Sequence, residues 1–557
     1  MLKTVKFSSV LVTFMVSLYL LMAFNTAFFS TVFRLFDDSS IDGVLFVGSL
    51  VLFLLAIFNG FLSLFAFRYV LKPALVLIIL SASCAAYFIN AYGIMIDKTM
   101  IQNLMESDLR ESAELLSPKL FLYLVFLGVV PSAMVILLPV RYRSWSRELV
   151  YKVGVLLVSA VVVGCIAALF FQSYASLFRS NRFIRDLIVP VNYLYSTSAY
   201  IRQLIPAKSV DFSRLGEDAV LGDAWYSGTG AEPQRKVVTL LIVGETARAQ
   251  NFSLNGYVRE TNPNLKREDV ISFANFHSCG TTTAVSVPCM FSRVPRTDYD
   301  SARERHTENL LDVLKHAGIN VVWRDNNSGC KSVCRRVEFE DLSAANVSGV
   351  CRQDECYDMV LLERLKQKIN VADGNLLVVL HQKGSHGPAY YLRTPKAFQR
   401  FQPACHYVQL QKCSQAEIRN AYDNTILYTD YFLSQAIGVL ESYGKGADTA
   451  MVYLSDHGES LGENNLYLHG LPYLIAPQEQ THVPFLLWMS DGFADRFSIS
   501  ESCLKNAASE RFSQDNLFDS MLGLLNIETD IYRPQLDMFH PCTGAGRHRA
   551  LLAEGKT

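Results

Sequence analysis

Several things are scarce or missing in this chain of 557 residues. No histidine precedes His277, and all eleven follow from there. No Cys-x-x-Cys pair occurs among twelve cysteines, which removes the paired knuckles that zinc ribbons use. Charged residues make up 18% of the chain and the net charge is −1, so no broad basic field exists to hold a nucleic acid. The first third is instead apolar and aromatic, and the residue types that do chemistry lie beyond it.

Five apolar runs are long enough to cross a bilayer, which takes about 20 residues each. They are approximately Ser8–Val32, Val44–Phe67, Pro73–Gly93, Leu120–Val140 and Val153–Phe171. The first is too long for a signal peptide and lacks a small-x-small cleavage site. Lys3, Lys6, Arg68, Lys72, Arg141, Arg143, Arg147 and Lys152 occupy one set of loops, and acidic residues the alternate set. The positive-inside rule places the N-terminus in the cytoplasm, so five spans leave everything after Phe171 outside. Ten cysteines lie in that outer part, most of them in close pairs, as in disulfide-bonded proteins of oxidising compartments.

The loop Asp97–Ser117 has helical periodicity, and Asn103, Ser107 and Glu111 recur on one face. It reads as an amphipathic helix at the membrane–water interface, or as a plain solvated face. Ser173–Val220 reads as a helical bridge against the membrane, and Gly222–Gln234 as an exposed linker. The expected domains are 1–172, with the interfacial helix around 97–117, then 173–234, then 235–557.

From Arg235 onward short apolar runs alternate with helical stretches. Val237–Val243, Ile319–Trp323, Leu376–Leu380, Thr449–Leu454 and Phe485–Met489 read as buried strands; Leu310–Ala317, Asp358–Lys368 and Glu417–Tyr443 read as helices. Strands apolar on both faces between helices predict an α/β domain with a mostly parallel sheet. Ligands then bind beyond the carboxyl ends of the strands. Three strands end in polar clusters: Glu245-Thr246-Ala247-Arg248, His381 to His386, and Asp456-His457-Gly458-Glu459 followed by His469. Oxygen and imidazole ligands of this kind suit Zn²⁺ better than Mg²⁺. A further stretch, Cys279-Gly280-Thr281-Thr282-Thr283 to Cys289, reads as a loop entering a helix and pinned by a short disulfide. Hydroxyls there face unpaired backbone N–H groups, a place for a phosphoryl group or for an ordinary N-cap. A metal-bound threonine is a competent nucleophile near neutral pH, but the spacing alone does not choose among the three.

These motifs resemble those of the lipid A phosphoethanolamine transferases, which include the mobile colistin-resistance enzymes and belong to the alkaline phosphatase/sulfatase superfamily. The resemblance rests on Val243–Arg248, Ser278–Ala284, His386–Tyr390 and Ser455–Gly462 and extends over the whole chain. It implies a zinc held by Glu245, Thr283, Asp456 and His457, with Thr283 as the nucleophile. His386 and His469 would hold the phosphoryl group or a second zinc, with His381 nearby. Ser328, Lys331, Asn103, Ser107 and Glu111 match positions where the family binds its substrate. The pairings it implies are Cys279–Cys289, Cys330–Cys334, Cys351–Cys356, Cys405–Cys413 and Cys503–Cys542.

The function so implied is a phosphotransfer. Phosphoethanolamine would pass from phosphatidylethanolamine through Thr283 to a lipid A phosphate, lowering envelope charge and conferring resistance to polymyxins. The expected enzyme is a monomer of the bacterial inner membrane with its catalytic domain in the periplasm and no nucleic-acid partner. The competing expectations are transfer to core oligosaccharide or another envelope glycan, a membrane-anchored sulfatase or phosphatase, and an inactive sensor.

Overall fold

The computed structural model describes residues 6–35, 41–106, 115–204, 212–226, 235–352 and 355–544. Two compact units make up the chain: Met1–Ile101 with Leu116–Arg202, and Gln102–Leu115 with Gln203–Thr557.

Helices α1 (Ser9–Phe24), α2 (Thr26–Leu35), α3 (Ile41–Ser63), α4 (Leu71–Tyr92), α5 (Lys98–Glu106), α6 (Pro118–Leu137), α7 (Trp145–Leu169), α8 (Phe171–Ser180) and α9 (Val191–Leu204) come first. Four stretches, Gly43–Ser63, α4, α6 and α7, are each long and apolar enough to cross a membrane. The run Ser8–Val32 differs from the single straight span expected. It bends by 58° between α1 and α2, so the pair makes a fifth span only if counted together. Buried Asn25 sits at the break. Its side chain donates to the carbonyls of Leu20 and Val189 and accepts from the Val189 N–H, at 2.8–3.0 Å. Those bonds satisfy backbone groups inside an apolar unit, the usual condition for a broken helix. α4 and α6 approach closely at Gly128, where an added Cβ would lie 2.7 Å from Ser83 Oγ.

Of the predicted interfacial helix, α5 is described to Glu106 and includes Asn103. Ser107 and Glu111 lie outside the described residues. α8 and α9 supply the helical part of the stretch Ser173–Val220.

The second unit is built on a sheet of β1 (Lys236–Gly244), β2 (Ile271–His277), β3 (Asn320–Asp325), β4 (Glu338–Asp341), β5 (Leu376–His381), β6 (Ala447–Ser455), β7 (His482–Met489) and β8 (Phe512–Ser513). Their spatial order is β8-β2-β7-β6-β1-β5-β3-β4. Every pairing is parallel except those of β7 with β6 and β2. β5 and β6 are buried along their whole length, and β1 from its second residue on. That is why they read as unbroken apolar runs. Register then aligns their carboxyl ends: Leu454, Val243, His381 and Asp325 form one row across four strands. Phe273, Phe276, Phe485 and Phe539 fill a core at the other side of β7, with Phe273 edge-on to Phe485 at 5.4 Å. Helices α10 (Thr283–Met290), α11 (Leu310–His316) and α12 (Gln415–Glu441) follow the sheet strands. A capping box at Ser414 and Glu417 starts α12.

One predicted helix is different. Asp358–Lys368 is a 3₁₀ turn over Asp358–Leu362, a left-handed Arg364 with φ 54°, and then a short helix over Leu365–Val371. The Asp358 carboxylate accepts from the backbone N–H groups of Lys383 and Gly384, which ties its segment to the β5 loop.

Candidate active site

Everything at the site hangs from the aligned strand ends. Glu245 follows β1 directly. The β5 loop lies against it through Gly384, whose φ is +53° and whose added Cβ would sit 2.6 Å from the Glu245 carbonyl oxygen. Asp456 and His457 follow β6. Asp456 Oδ1 accepts from the N–H groups of Thr246 and His457, at 3.1 and 2.7 Å. His457 Nδ1 lies 3.0 Å from the Gly458 carbonyl, which assigns the proton to Nδ1 and leaves Nε2 as a lone-pair donor.

The three threonines separate by backbone phase. Thr281 Oγ1 donates to the Leu471 carbonyl at 2.7 Å. Thr282 is the N-cap of α10 with extended backbone, and its buried hydroxyl has no hydrogen-bond partner. Thr283 opens the helix, and its hydroxyl donates to Glu245 Oε2 at 3.0 Å and lies 3.4 Å from His457 Nε2. His457 Nε2 is in turn 3.4 Å from Glu245 Oε1 and 3.3 Å from Asp456 Oδ2.

This arrangement fits a small divalent cation. Four donors around an ion with bonds of about 2.0–2.1 Å would stand about 3.3–3.4 Å apart at the edges of a tetrahedron. Glu245, Asp456 and His457 form a compact ligand set, fully buried. Glu245 Oε1 and Asp456 Oδ2 are buried without any hydrogen-bond partner. Burial, and then repulsion from Asp456, pushes the Glu245 pKa up to about 7; burial pushes Asp456 up to about 6. Burial lowers His457 to about 4. Two buried carboxylates and a neutral imidazole with oxygens to spare are stable together when a cation joins them. Cys279, Cys289 and Asp515 also lie close, but the two sulfurs are bonded to each other and are not thiolates.

Around this centre stand the histidines. His469 Nδ1 lies 2.7 Å from Glu459 Oε2. Its ring is 4.3 Å from that of His457 and 5.7 Å from that of His386. Glu459 is fully buried, accepts from the Tyr390 hydroxyl at 2.6 Å, and is pushed by burial to about 8. His381 is fully buried behind the cluster, with Nδ1 2.8 Å from Asp325 Oδ2. Burial would lower its pKa, but the Asp325 carboxylate outweighs that and holds it above the ordinary value. Asn327 Nδ2 donates to Glu245 Oε2 and to the Gln382 carbonyl, both at 2.8 Å. Next along the chain, Lys331 Nζ donates to Ser328 Oγ at 2.9 Å and to the Glu106 carbonyl at 3.1 Å.

Comparison with known proteins gives this geometry a family. Residues 238–527 match the sulfatase family, and residues 54–205 match the family described as phosphoethanolamine transferase EptA/EptB. Phosphoethanolamine transferase EptA of Escherichia coli (strain K12) is 42% identical over 527 residues, covering 94% of this chain and 95% of that protein. The chain belongs to the phosphoethanolamine transferases. Phosphatidylethanolamine transferase Mcr-1 of Escherichia coli is 36% identical to this transferase over 484 residues, covering 85% of this chain and 88% of that one. The integral membrane lipooligosaccharide phosphoethanolamine transferase A from Neisseria meningitidis superposes with a TM-score of 0.92 at 36% identity, over 97% of this chain and 100% of that one.

In the transferase the ten cysteines from Cys279 onward are bonded as Cys279–Cys289, Cys330–Cys334, Cys351–Cys356, Cys405–Cys413 and Cys503–Cys542. Cys84 and Cys165, in α4 and α7, are free. Supporting roles were not assigned from the sequence. Gln514 bridges the Ser455 and Asp456 carbonyls to the Cys279 N–H, and Asp325, Asn327, Tyr390 and Glu459 hold the groups that face the centre. Glu459 had a visible signal, its place in the polar strand-end cluster. Gln514 had none.

Proposed function

We propose that this chain moves phosphoethanolamine from phosphatidylethanolamine to a phosphate of lipid A, through a covalent ester on Thr283, at the outer face of a bacterial inner membrane. The observation that carries the reading is the Thr283 hydroxyl, set at the start of α10 between Glu245 and His457. The donor and acceptor classes rest on the relatives' names.

Glu245, Thr283, Asp456 and His457 would hold Zn²⁺. When bound, the ion makes the threonine oxygen a better nucleophile and neutralises charge on the phosphoryl group. Thr283 Oγ1 attacks phosphorus, and its proton passes along the existing hydrogen bond to Glu245 Oε2. The bond from phosphorus to the glycerol oxygen breaks, and His469, oriented through Glu459, protonates the departing diacylglycerol. The amides at the start of α10 and the imidazoles of His386 and His469 stabilise the charge that develops on the phosphoryl oxygens. A phosphate oxygen of lipid A then attacks phosphorus, the Thr283 ester bond breaks, and the proton at Glu245 returns to Thr283. His469 is recharged from solvent. Lys331 and Ser328 with Asn103, Ser107 and Glu111 would receive the ethanolamine phosphate of the donor. The product carries an added ammonium, which weakens the attraction of polymyxins and other cationic peptides to the envelope.

A second reading, transfer to an envelope sugar, has one observation behind it. A relative of 26% identity over 477 residues is a Kdo(2)-lipid A phosphoethanolamine 7''-transferase of Escherichia coli (strain K12). Mass spectrometry of lipid A and of the protein separates the two. Lipid A from expressing cells should gain phosphoethanolamine on a phosphate. Thr283→Ala should abolish the gain and the protein adduct, whereas Thr282→Ala should keep much of both. Modified sugar with unmodified phosphates would overturn the acceptor. Activity without an adduct on Thr283 under any condition would overturn the covalent route.

A further inference from the structure

Two of the three buried residues of span α7 are charged. Its buried residues are Glu148, Lys152 and Ile166. Charged side chains in a spanning helix are costly, and they mark a site when their partners do not account for them. Glu148 is accounted for: Ser9 Oγ donates to Oε1, and the Arg143 N–H donates to Oε2 at 3.0 Å. Lys152 is not. It is 6% exposed, its ammonium stands 2.9 Å from the centroid of the Phe67 ring, and it has no hydrogen-bond partner.

Two more donors nearby are in the same state. Arg143 Nη1 and the Tyr142 hydroxyl are buried without hydrogen-bond partners. The Arg143 guanidinium lies 3.8 Å from the Tyr151 ring, and Trp145 stacks on Phe67 at 5.4 Å. Both Glu148 and Arg68 are close enough to act on the Tyr142 hydroxyl electrostatically. One carboxylate, already bonded, thus neighbours Lys152 Nζ, Arg143 Nη1 and the Tyr142 hydroxyl, three buried donor groups without a hydrogen-bond partner. An anion with several acceptor oxygens is what the cluster wants. The surroundings say which kind. The cluster opens beside Trp145, Leu149 and Val153, which are 69%, 49% and 47% exposed on a membrane-spanning helix. It also lies at the lysine- and arginine-rich end of the spans, where Phe7–Ser8 pairs with Val140–Arg141. The positive-inside rule puts that end on the cytoplasmic leaflet, which carries anionic lipids.

We propose that Lys152, Arg143 and Tyr142 bind the phosphodiester of an anionic glycerophospholipid of the cytoplasmic leaflet, its acyl chains lying along the exposed face of α7. The site is independent of Thr283 and of the transfer reaction.

Native mass spectrometry of the full-length protein tests this, with palmitoyl-oleoyl phosphatidylglycerol as probe. Phosphatidylcholine serves as zwitterionic control and inorganic phosphate as competitor. One phosphatidylglycerol should be retained at least ten times more strongly than phosphatidylcholine. Lys152→Met with Arg143→Gln should weaken it about thirtyfold, about 2 kcal/mol for two lost charges. Lys152→Arg alone, which keeps the charge, should retain binding. Should the double variant fail to fold, the wild-type preference for phosphatidylglycerol and its loss in high salt decide the matter. Equal retention of the two lipids, or undiminished phosphatidylglycerol on the folded double variant, would overturn the proposal. Displacement by inorganic phosphate at matched concentration would overturn the lipid assignment in favour of a free anion.

Discussion

Gln514 offers the sharpest test of how the centre is held. Its side chain is 1% exposed. Nε2 donates to the Ser455 and Asp456 carbonyls, each at 2.8 Å, and Oε1 accepts from the Cys279 N–H at 2.6 Å. One residue therefore ties the end of β6, the candidate ligand Asp456 and the Cys279–Cys289 disulfide. Gln514→Leu keeps the volume and orphans three buried backbone groups. At about 1–3 kcal/mol for each orphan, less about 1–2 kcal/mol regained by the apolar side chain, the net cost is roughly 1–8 kcal/mol. With about 2.1 cal/mol/K of unfolding entropy per residue, a loss of about 3 kcal/mol lowers the melting temperature of the unit Gln203–Thr557 by about 4 °C. Loosening the Asp456 backbone should also weaken metal binding by about 10–100-fold. Thermal unfolding in chelator and a competition titration with a fluorescent zinc indicator measure the two effects. Gln514→Glu, which loses both donated bonds and sets a carboxylate against two carbonyls, should be worse than Gln514→Leu. A Gln514→Leu protein with unchanged melting and unchanged metal affinity would refute the reasoning.

Three other outcomes follow from the same geometry. In metal-free protein the folded-state pKa values of Glu245, Asp456 and Glu459 are raised to about 7, about 6 and about 8, chiefly by burial. Between about pH 4 and 8 the folded chain then holds more protons than the unfolded one, so stability falls as pH rises through that window. Chelated protein should melt lower at pH 8 than at pH 5, and added zinc should stabilise most at the high end; a chelated melting temperature that climbs with pH would contradict this. Asp448→Ala should cost about 3–5 kcal/mol, read by denaturant unfolding, because it leaves Arg496 buried without its carboxylate, while turnover well below melting stays intact. Gly384→Ala should do the reverse: at φ +53° and 2.6 Å from the Glu245 carbonyl oxygen, the new methyl displaces a ligand, so metal content and turnover should fall by tenfold or more with a modest stability change of about 1–2 kcal/mol.

The sheet was legible in the sequence because its central strands are buried on both faces, and an apolar run such as Leu376–Leu380, preceded by Gly374-Asn375, is short for a helix. β2 was missed because its burial alternates, and β4 because it is a charged edge strand whose Glu338 and Glu340 pair with Lys368. Glu245, Asp456 and His457, which the structure brings together, were visible as polar residues at strand ends. Their supports were not: Asp325 finds His381, and Gln514 finds Asp456, across more than fifty residues of chain, and no local pattern encodes such pairings. The choice among three threonines was equally hidden. It depends on which residue is the N-cap, a backbone fact that adjacent identical side chains cannot signal.

The reversed strand β7 has a consequence for how the centre can vary. Because β7 alone runs against its neighbours, the chain leaves the sheet after β6 and re-enters it at the same edge. The segment from Asp456 to Thr481 is an arch with both feet planted beside the buried cluster. Its feet are laced together, Gly458 N–H to the Gln480 carbonyl at 3.0 Å and Glu459 N–H to the Glu479 carbonyl at 2.7 Å. Gln480 then crosses the arch to the Leu468 carbonyl and the Leu471 N–H. His469 rides just inside this lacing, and Leu474, 90% exposed, lies on the far side of it. Changes at the crown are thereby insulated from Asp456 and His457, so the exposed crown and the buried cluster beneath it can diverge at different rates.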